Sequence, residues 1–415
     1  MYFSSKYKIF SSLFVLLFIP SFFYVFLNAS SMAAGIAFAV MYILIVSKKK
    51  FPWIKTNKYL LLFWIMMLIV HYAITIYVYM DYFSIKHLLA FLLICIMVLS
   101  AGMLSLEIKK LKPSTMFVIL KTLSFFVIAA GIFSLFEKVT ILGYAQYAKS
   151  IFPFSEPSHF ALSVGGLLFA TGLYFSTQVR IYLIIIVGLM GVFYPSLILL
   201  LIALAMIFLY FVSNFIKLLP VVLIVLLSMF YIINFTDMAT YFFDRLTFGD
   251  SASNLTALVY LQGWEDMCIS LYESYGFGVG FQNMGILPPG EYGEMIYRLA
   301  GEFKNRNDGG FLAAKIVGEF GILGIGLIIV YLFKFFRSIV YIINFTKAYD
   351  VNKKQASINY PIASIFGHSI IIMFFLEMFG RGYGYFSTGV FLFFVAIFLT
   401  SADGRNLLRY RGGYQ

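Results

Sequence analysis

Apolar runs of about 15 to 21 residues recur along almost the whole of this chain, and that repetition leaves very few folds open to it. At about 1.5 Å per residue, the runs of about 20 residues cross a hydrocarbon core of about 30 Å as helices, and shorter ones such as 181–193 cover less of it. Helix is also the only form in which a single segment satisfies its own backbone hydrogen bonds in lipid. The runs fall at residues 9–27, 32–46, 60–79, 88–103, 116–136, 159–174, 181–193, 196–216, 219–235, 311–333, 360–379 and 387–401. With 62% apolar and only 12% charged residues, and a mean hydropathy of +0.94, the chain lies far from the roughly 25% charged content of a soluble domain. The expected fold class is an all-α polytopic membrane protein with about twelve transmembrane helices. Residues 1–415 form a single integral membrane domain, with a large external loop at 237–310 that holds short helices of its own and a smaller one at 137–158.

The net charge of +12 follows from topology. With both termini inside, about 21 of the 30 lysines and arginines fall on one side, which the positive-inside rule makes cytoplasmic. Most carboxylates then lie on the other side, together with both loops and the short segment 380–386. No basic stripe interleaves with aromatics in a soluble segment, so no nucleic-acid partner is expected. Cys95 and Cys268 have neither metal-ligand spacing nor a common depth, so no disulfide and no metal site are expected.

Within the large loop, Asn254 is placed to cap a helix that ends at Tyr275-Gly276, with Gln262, Asp266, Ser270 and Glu273 sharing its polar face. That face reads either as solvated surface or as a substrate contact, with Glu265 beside it. The run Gly276-Phe277-Gly278-Val279-Gly280-Phe281-Gln282 reads either as a turn or as an anion-binding nest built on Gly278, Gly280 and Gln282. A second helix is expected over 292–303, where Arg298 is spaced to pair with Glu294 and Glu302. Charges also stand at the outer ends of spans. Lys315 and Glu319 lie one turn apart, as do Glu377 and Arg381, so these groups should face a polar cavity or each other. Before the sixth span, Ser155-Glu156-Pro157-Ser158-His159 sets a carboxylate and an imidazole beside a helix start that Pro157 fixes. His71 and His368, near mid-span, read as helix-packing hydrogen-bonders.

The stretch 154–160, Phe-Ser-Glu-Pro-Ser-His-Phe, resembles the Glu-Pro-Ser signature of O-antigen polymerases of the Wzy type. Residues 255–265 with Gly278-Val279-Gly280-Phe281-Gln282 are similar to that family's large periplasmic loop. Asn307-Asp308-Gly309-Gly310, Gly318-Glu319-Phe320-Gly321 and the segment 377–387 extend the resemblance over the second half of the chain. Many relatives carry an arginine early in the loop helix, where this chain has Thr256-Ala257-Leu258, and Arg245 and Arg306 are the nearest substitutes.

The resemblance implies a metal-independent glycosyltransferase with no cofactor, in the bacterial inner membrane and facing the periplasm. It would move the growing glycan from undecaprenyl diphosphate to a new lipid-linked repeat unit. Its partners would be that lipid-linked oligosaccharide, membrane lipid, and a flippase and chain-length regulator. A leaving diphosphate needs cations, for which Arg245, Arg306, Lys315 and Arg381 are the outward-side supply, and an acceptor hydroxyl needs a base, for which Glu156, His159 or Asp308 are placed. Three alternatives stay open, one of them a generic ion-coupled transporter, which would want its charges near mid-membrane. An O-antigen ligase would use the same donor type, and a lipid-linked oligosaccharide flippase would have no need of a large external loop.

Overall fold

The computed structural model describes residues 5–29, 31–47, 58–78, 84–136, 144–147, 149–212, 223 and 254–401. Among them the chain is helical with no strand, as the apolar pattern requires. In order the helices are α1 (Ser5–Phe26), α2 (Ala33–Ser47), α3 (Lys58–Val78), α4 (Ile85–Lys109), α5 (Pro113–Phe136), α6 (Pro157–Leu173), α7 (Thr177–Phe193) and α8 (Leu197–Tyr210). There follow α9 (Leu255–Glu273), α10 (Glu291–Ala300), α11 (Leu312–Val351), α12 (Lys353–Asn359), α13 (Ile362–Phe379) and α14 (Thr388–Thr400). Five of these, α1, α4, α5, α11 and α13, are long and apolar enough to cross a membrane, and α2, α7, α8 and α14 are shorter apolar helices. Each run expected as a span coincides with a helix except 219–235, which lies outside the described residues.

The centre of the bundle is α6 packed against α13. Almost every side chain of α6 is buried, and Gly166 explains how the two axes come so close, since a Cβ there would stand 3.1 Å from the Cα of Ile370. Further out, α5 turns Phe125 and Phe133 outward, 68% and 61% exposed, while Ser124 points inward and its hydroxyl bonds that of Thr171 at 2.9 Å. Apolar outside and hydroxyls inside is the reverse of a soluble helix, and it is the pattern of one solvated by hydrocarbon.

One helix departs from expectation. The run at 311–333 belongs to a helical stretch that continues to Val351 and ends at Asn352, interrupted at Gly321 (φ 58°, ψ −133°). The break frees carbonyls that need donors in a dry interior. They come from the glycine run after α9: Val279 N–H donates to Gly318 O at 3.0 Å and Gly280 N–H to Glu319 O at 2.9 Å, while Ile322 N–H donates to Gly276 O at 2.9 Å. The two backbones touch at Gly278 and Gly321, where any Cβ would meet the opposite main chain.

Candidate active site

The site grows from three chain turns at the end of the bundle where α6 starts and α13 stops. Glu156 caps α6 in extended geometry with Pro157 at the first helical position, as the sequence requires. Its carboxylate Oε2 accepts from Arg381 at 2.6 Å and from Ser158 Oγ at 3.1 Å, and lies 3.8 Å from His159 Nε2. His159 is held on its other nitrogen by Ser155 Oγ at 2.8 Å and packs edge-on against Tyr383, ring centroids 4.0 Å apart. Among the described residues the Tyr383 hydroxyl is buried with no hydrogen-bond partner. Glu156 and Arg381 remain partly open, at 42% and 24% side-chain exposure, so an incoming anion or hydroxyl has access to both members of the pair.

A second cluster lies across the same segment. Lys315 and Glu319 form an ion pair at 3.2 Å with almost no exposure on either side. Glu319 also accepts from Tyr385 Oη at 2.8 Å and from the Met284 N–H at 3.2 Å, and Lys315 donates to the Asn307 carbonyl. Asp308 stands beside Lys315, and burial raises its carboxyl above the usual 3.8 while the lysine pulls it back down. The 380–387 segment links the clusters by running flat against the end of the large loop. Gly382 N–H donates to Gly310 O at 3.2 Å, and a Cβ at Gly384 would stand 2.7 Å from Asp308 Oδ1.

A buried acid with a raised pKa carries a sign that stability measurements read. The folded protein holds the Asp308 proton to a higher pH than the unfolded chain, so this contribution is present below 3.8 and lost as pH rises through the raised value. Asp308→Asn removes the loss. We expect the variant to melt above wild type at pH 7 and the two curves to converge toward pH 4. A variant that melts lower at both pH values would show that the carboxylate holds the fold through its charge.

Several expectations are corrected. Glu377 and Arg381 do not pair. Glu377 is buried, accepts from Ser387 Oγ at 2.5 Å and lies against Gly389, while Arg381 turns to Glu156. Gly278 and Gly280 form no anion nest, because Gly278 N–H is taken by Ser274 Oγ at 2.7 Å and the next two amides by the broken helix. Gln282 occupies a left-handed turn (φ 64°) at the end of that run. Glu265 caps α10, accepting from Glu291 N–H at 2.6 Å and Tyr292 N–H at 3.0 Å. Arg298 gains no ladder with Glu302, which pairs with Lys304. The polar face of α9 is solvated only at Glu273, since Gln262, Asp266 and Ser270 are all buried, and Gln262 donates to Lys304 O at 3.3 Å. Arg306 is the partner of that face, 3.1 Å from Asp266, with a further bond to Leu287 O. Arg245 lies outside the described residues.

Arg306 is therefore a cation spent on structure. Arg306→Ala leaves Asp266 buried and unpaired, which typically costs about 3 to 5 kcal/mol. We expect the variant to be depleted from membranes, and Asp266→Asn in the same chain to restore part of it. Full accumulation of the single variant on an immunoblot would refute the assignment.

Of the residues singled out from sequence, the structure gathers Glu156, His159 and Arg381 in one cluster and Asp308, Lys315 and Glu319 in the other. Sequence reading gave no role to Tyr383, Tyr385 or Ser155. The alternation Gly382-Tyr383-Gly384-Tyr385 was the available signal, two rings presented by a backbone kept thin enough to lie on the loop. Among the described residues no group of three metal-ligating side chains assembles. No protein-family model, curated protein or solved structure matches the chain.

Proposed function

We propose that the protein is a polymerase of undecaprenyl-diphosphate-linked oligosaccharide repeat units, acting at the periplasmic face of the bacterial inner membrane. One observation carries the reading: Arg381, Glu156 and His159, drawn from segments more than two hundred residues apart, meet at one accessible mouth of an apolar bundle. Glycosyl transfer from a lipid diphosphate needs a cation for the leaving group and a base for the acceptor, side by side at headgroup height. Arg381 supplies the planar fork that suits a diphosphate. Glu156, or His159 oriented by Ser155, takes the proton of the acceptor hydroxyl when the donor phosphate draws Arg381 away from the carboxylate. The bundle supplies the lipid path, and the loop from α9 to α11 forms the cap over the mouth. The dozen spans and the inside-positive orientation belong to the same proposal, supported by the charge bias along the sequence.

The test is genetic. Deleting the gene is expected to leave surface core carrying a single repeat unit, because ligation proceeds without polymerisation. A persisting ladder of long chains would refute the proposal. Loss of even the single repeat, with long chains accumulating on the lipid carrier, would identify a ligase instead.

A further inference from the structure

About 13 Å farther along the bundle than Glu377, counting the nine residues back to His368 at 1.5 Å each, α11, α13 and α14 enclose a second polar feature. It is a shallow recess, about 10 Å³ inside and about 200 Å³ counting its open side, lined by Lys334, Arg337, Ser338, His368, Ile371 and Thr400. Its hydroxyls are already committed. Ser338 Oγ donates to Lys334 O at 2.8 Å and sits 2.9 Å from His368 Nδ1, and Thr400 Oγ1 donates to Ala396 O at 2.9 Å. What remains is positive charge. Among the described residues no carboxylate lies within ion-pair distance of Lys334 or Arg337.

The surroundings of these two cations say what kind of anion reaches them. Arg337 is exposed, and it shares a helix face with Val330, Phe333 and Val340, which are 57%, 74% and 56% exposed. Two like charges one turn apart, set in a strip of apolar surface, are strongly disfavoured in hydrocarbon unless a counter-charge arrives with them. A small soluble anion would have to leave water to do so. A phosphate that carries its own acyl chains does not, because its chains cover Val330 and Phe333 while its headgroup sits on the two cations at the mouth of the recess.

We propose that Lys334 and Arg337, at the mouth of this recess, bind the phosphate headgroup of an anionic phospholipid, whose acyl chains lie along the Val330 and Phe333 face of α11. In the proposed orientation this is the cytoplasmic leaflet. The site is separate from the cluster at Glu156 and Arg381 and does not depend on the polymerase reading.

Native mass spectrometry of the full chain in detergent tests it, with phosphatidylglycerol, diacylglycerol and inorganic phosphate as probes. The expected result is a retained phosphatidylglycerol adduct that excess inorganic phosphate does not displace, and no diacylglycerol adduct. Lys334→Gln with Arg337→Gln is expected to reduce the adduct at least tenfold, whereas Lys334→Arg and, as a matched loss of charge elsewhere, Lys121→Gln retain it. Equal adducts on wild type and the double variant would overturn the proposal, and so would equal retention of diacylglycerol. Displacement by inorganic phosphate would overturn the lipid in favour of a free-anion site. The three probes on the wild-type chain decide the matter even if the double variant does not accumulate.

Discussion

Lys315→Ala is expected to remove the protein from the membrane almost entirely. The lysine is buried against Glu319 at 3.2 Å, with side-chain exposures of 2% and 0%, and among the described residues no other cation pairs with that carboxylate. Tyr385 and the Met284 amide also bond Glu319, but both are neutral donors. Removing one member of a buried ion pair typically costs about 3 to 5 kcal/mol, because the survivor stays desolvated and charged. That is a large part of the roughly 5 to 15 kcal/mol by which a native protein is stable. The damage spreads, since Glu319 lies two residues before the Gly321 break and its own carbonyl accepts from Gly280. A double variant separates charge from shape. Lys315→Met with Glu319→Gln removes both charges while keeping volume and the acceptor for Tyr385, so it should accumulate better than Lys315→Ala, with a positive coupling energy in the double-mutant cycle. Immunoblots of membranes and melting in detergent read the result. Wild-type amounts of the single variant, with an unchanged melting midpoint, would show that the pair is solvated in the working protein and free to meet substrate.

The sequence was informative wherever the physics is local. Asn254 caps α9 through its own side chain, accepting from Thr256 N–H at 2.9 Å, and the chain leaves that helix at Tyr275 and Gly276 with positive φ, as the residue types demand. Pro157 starts α6 for the same kind of reason. The apolar runs became helices because lipid leaves the backbone no other way to bond.

What sequence reading missed is long-range in each case. The polar face of α9 read either as solvated surface or as a substrate contact because its cover, Arg306, arrives from 40 residues downstream. Glu377 and Arg381 have ideal helical spacing, yet the helix ends between them, at Phe379, and Arg381 crosses to a carboxylate 225 residues away. The kink at Gly321 is invisible to hydropathy, since a glycine in an apolar run gives no sign of its φ until the partner loop is in place. The glycine run after α9 was read for phosphate chemistry, whereas its amides complete a helix broken elsewhere in the chain.

This sorting of cations leads to the sharpest test of function. Arg245, Arg306, Lys315 and Arg381 were the candidates for the leaving diphosphate, with Arg381 and Arg306 foremost, but Arg306 and Lys315 are committed to buried carboxylates. Arg381 differs because its partner Glu156 is 42% exposed, so the pair can open without stranding a charge in a dry interior. Arg381→Ala is therefore expected to abolish polymer while the protein stays in the membrane at normal levels, the opposite of what Arg306→Ala and Lys315→Ala should do. A guanidinium placed on a departing diphosphate stabilises charge that grows as the glycosidic bond breaks, so it acts on the transition state more than on the bound substrate. Loss of one such contact typically raises a barrier by about 3 to 4 kcal/mol, two to three orders of magnitude in rate and enough to erase a ladder on a gel. Arg381→Lys keeps the charge and loses the bidentate fork, so partial ladders would indicate simple neutralisation and empty lanes a requirement for geometry. Wild-type ladders from Arg381→Ala would move the diphosphate site away from this mouth, and disappearance of the protein would make the pair with Glu156 a structural one.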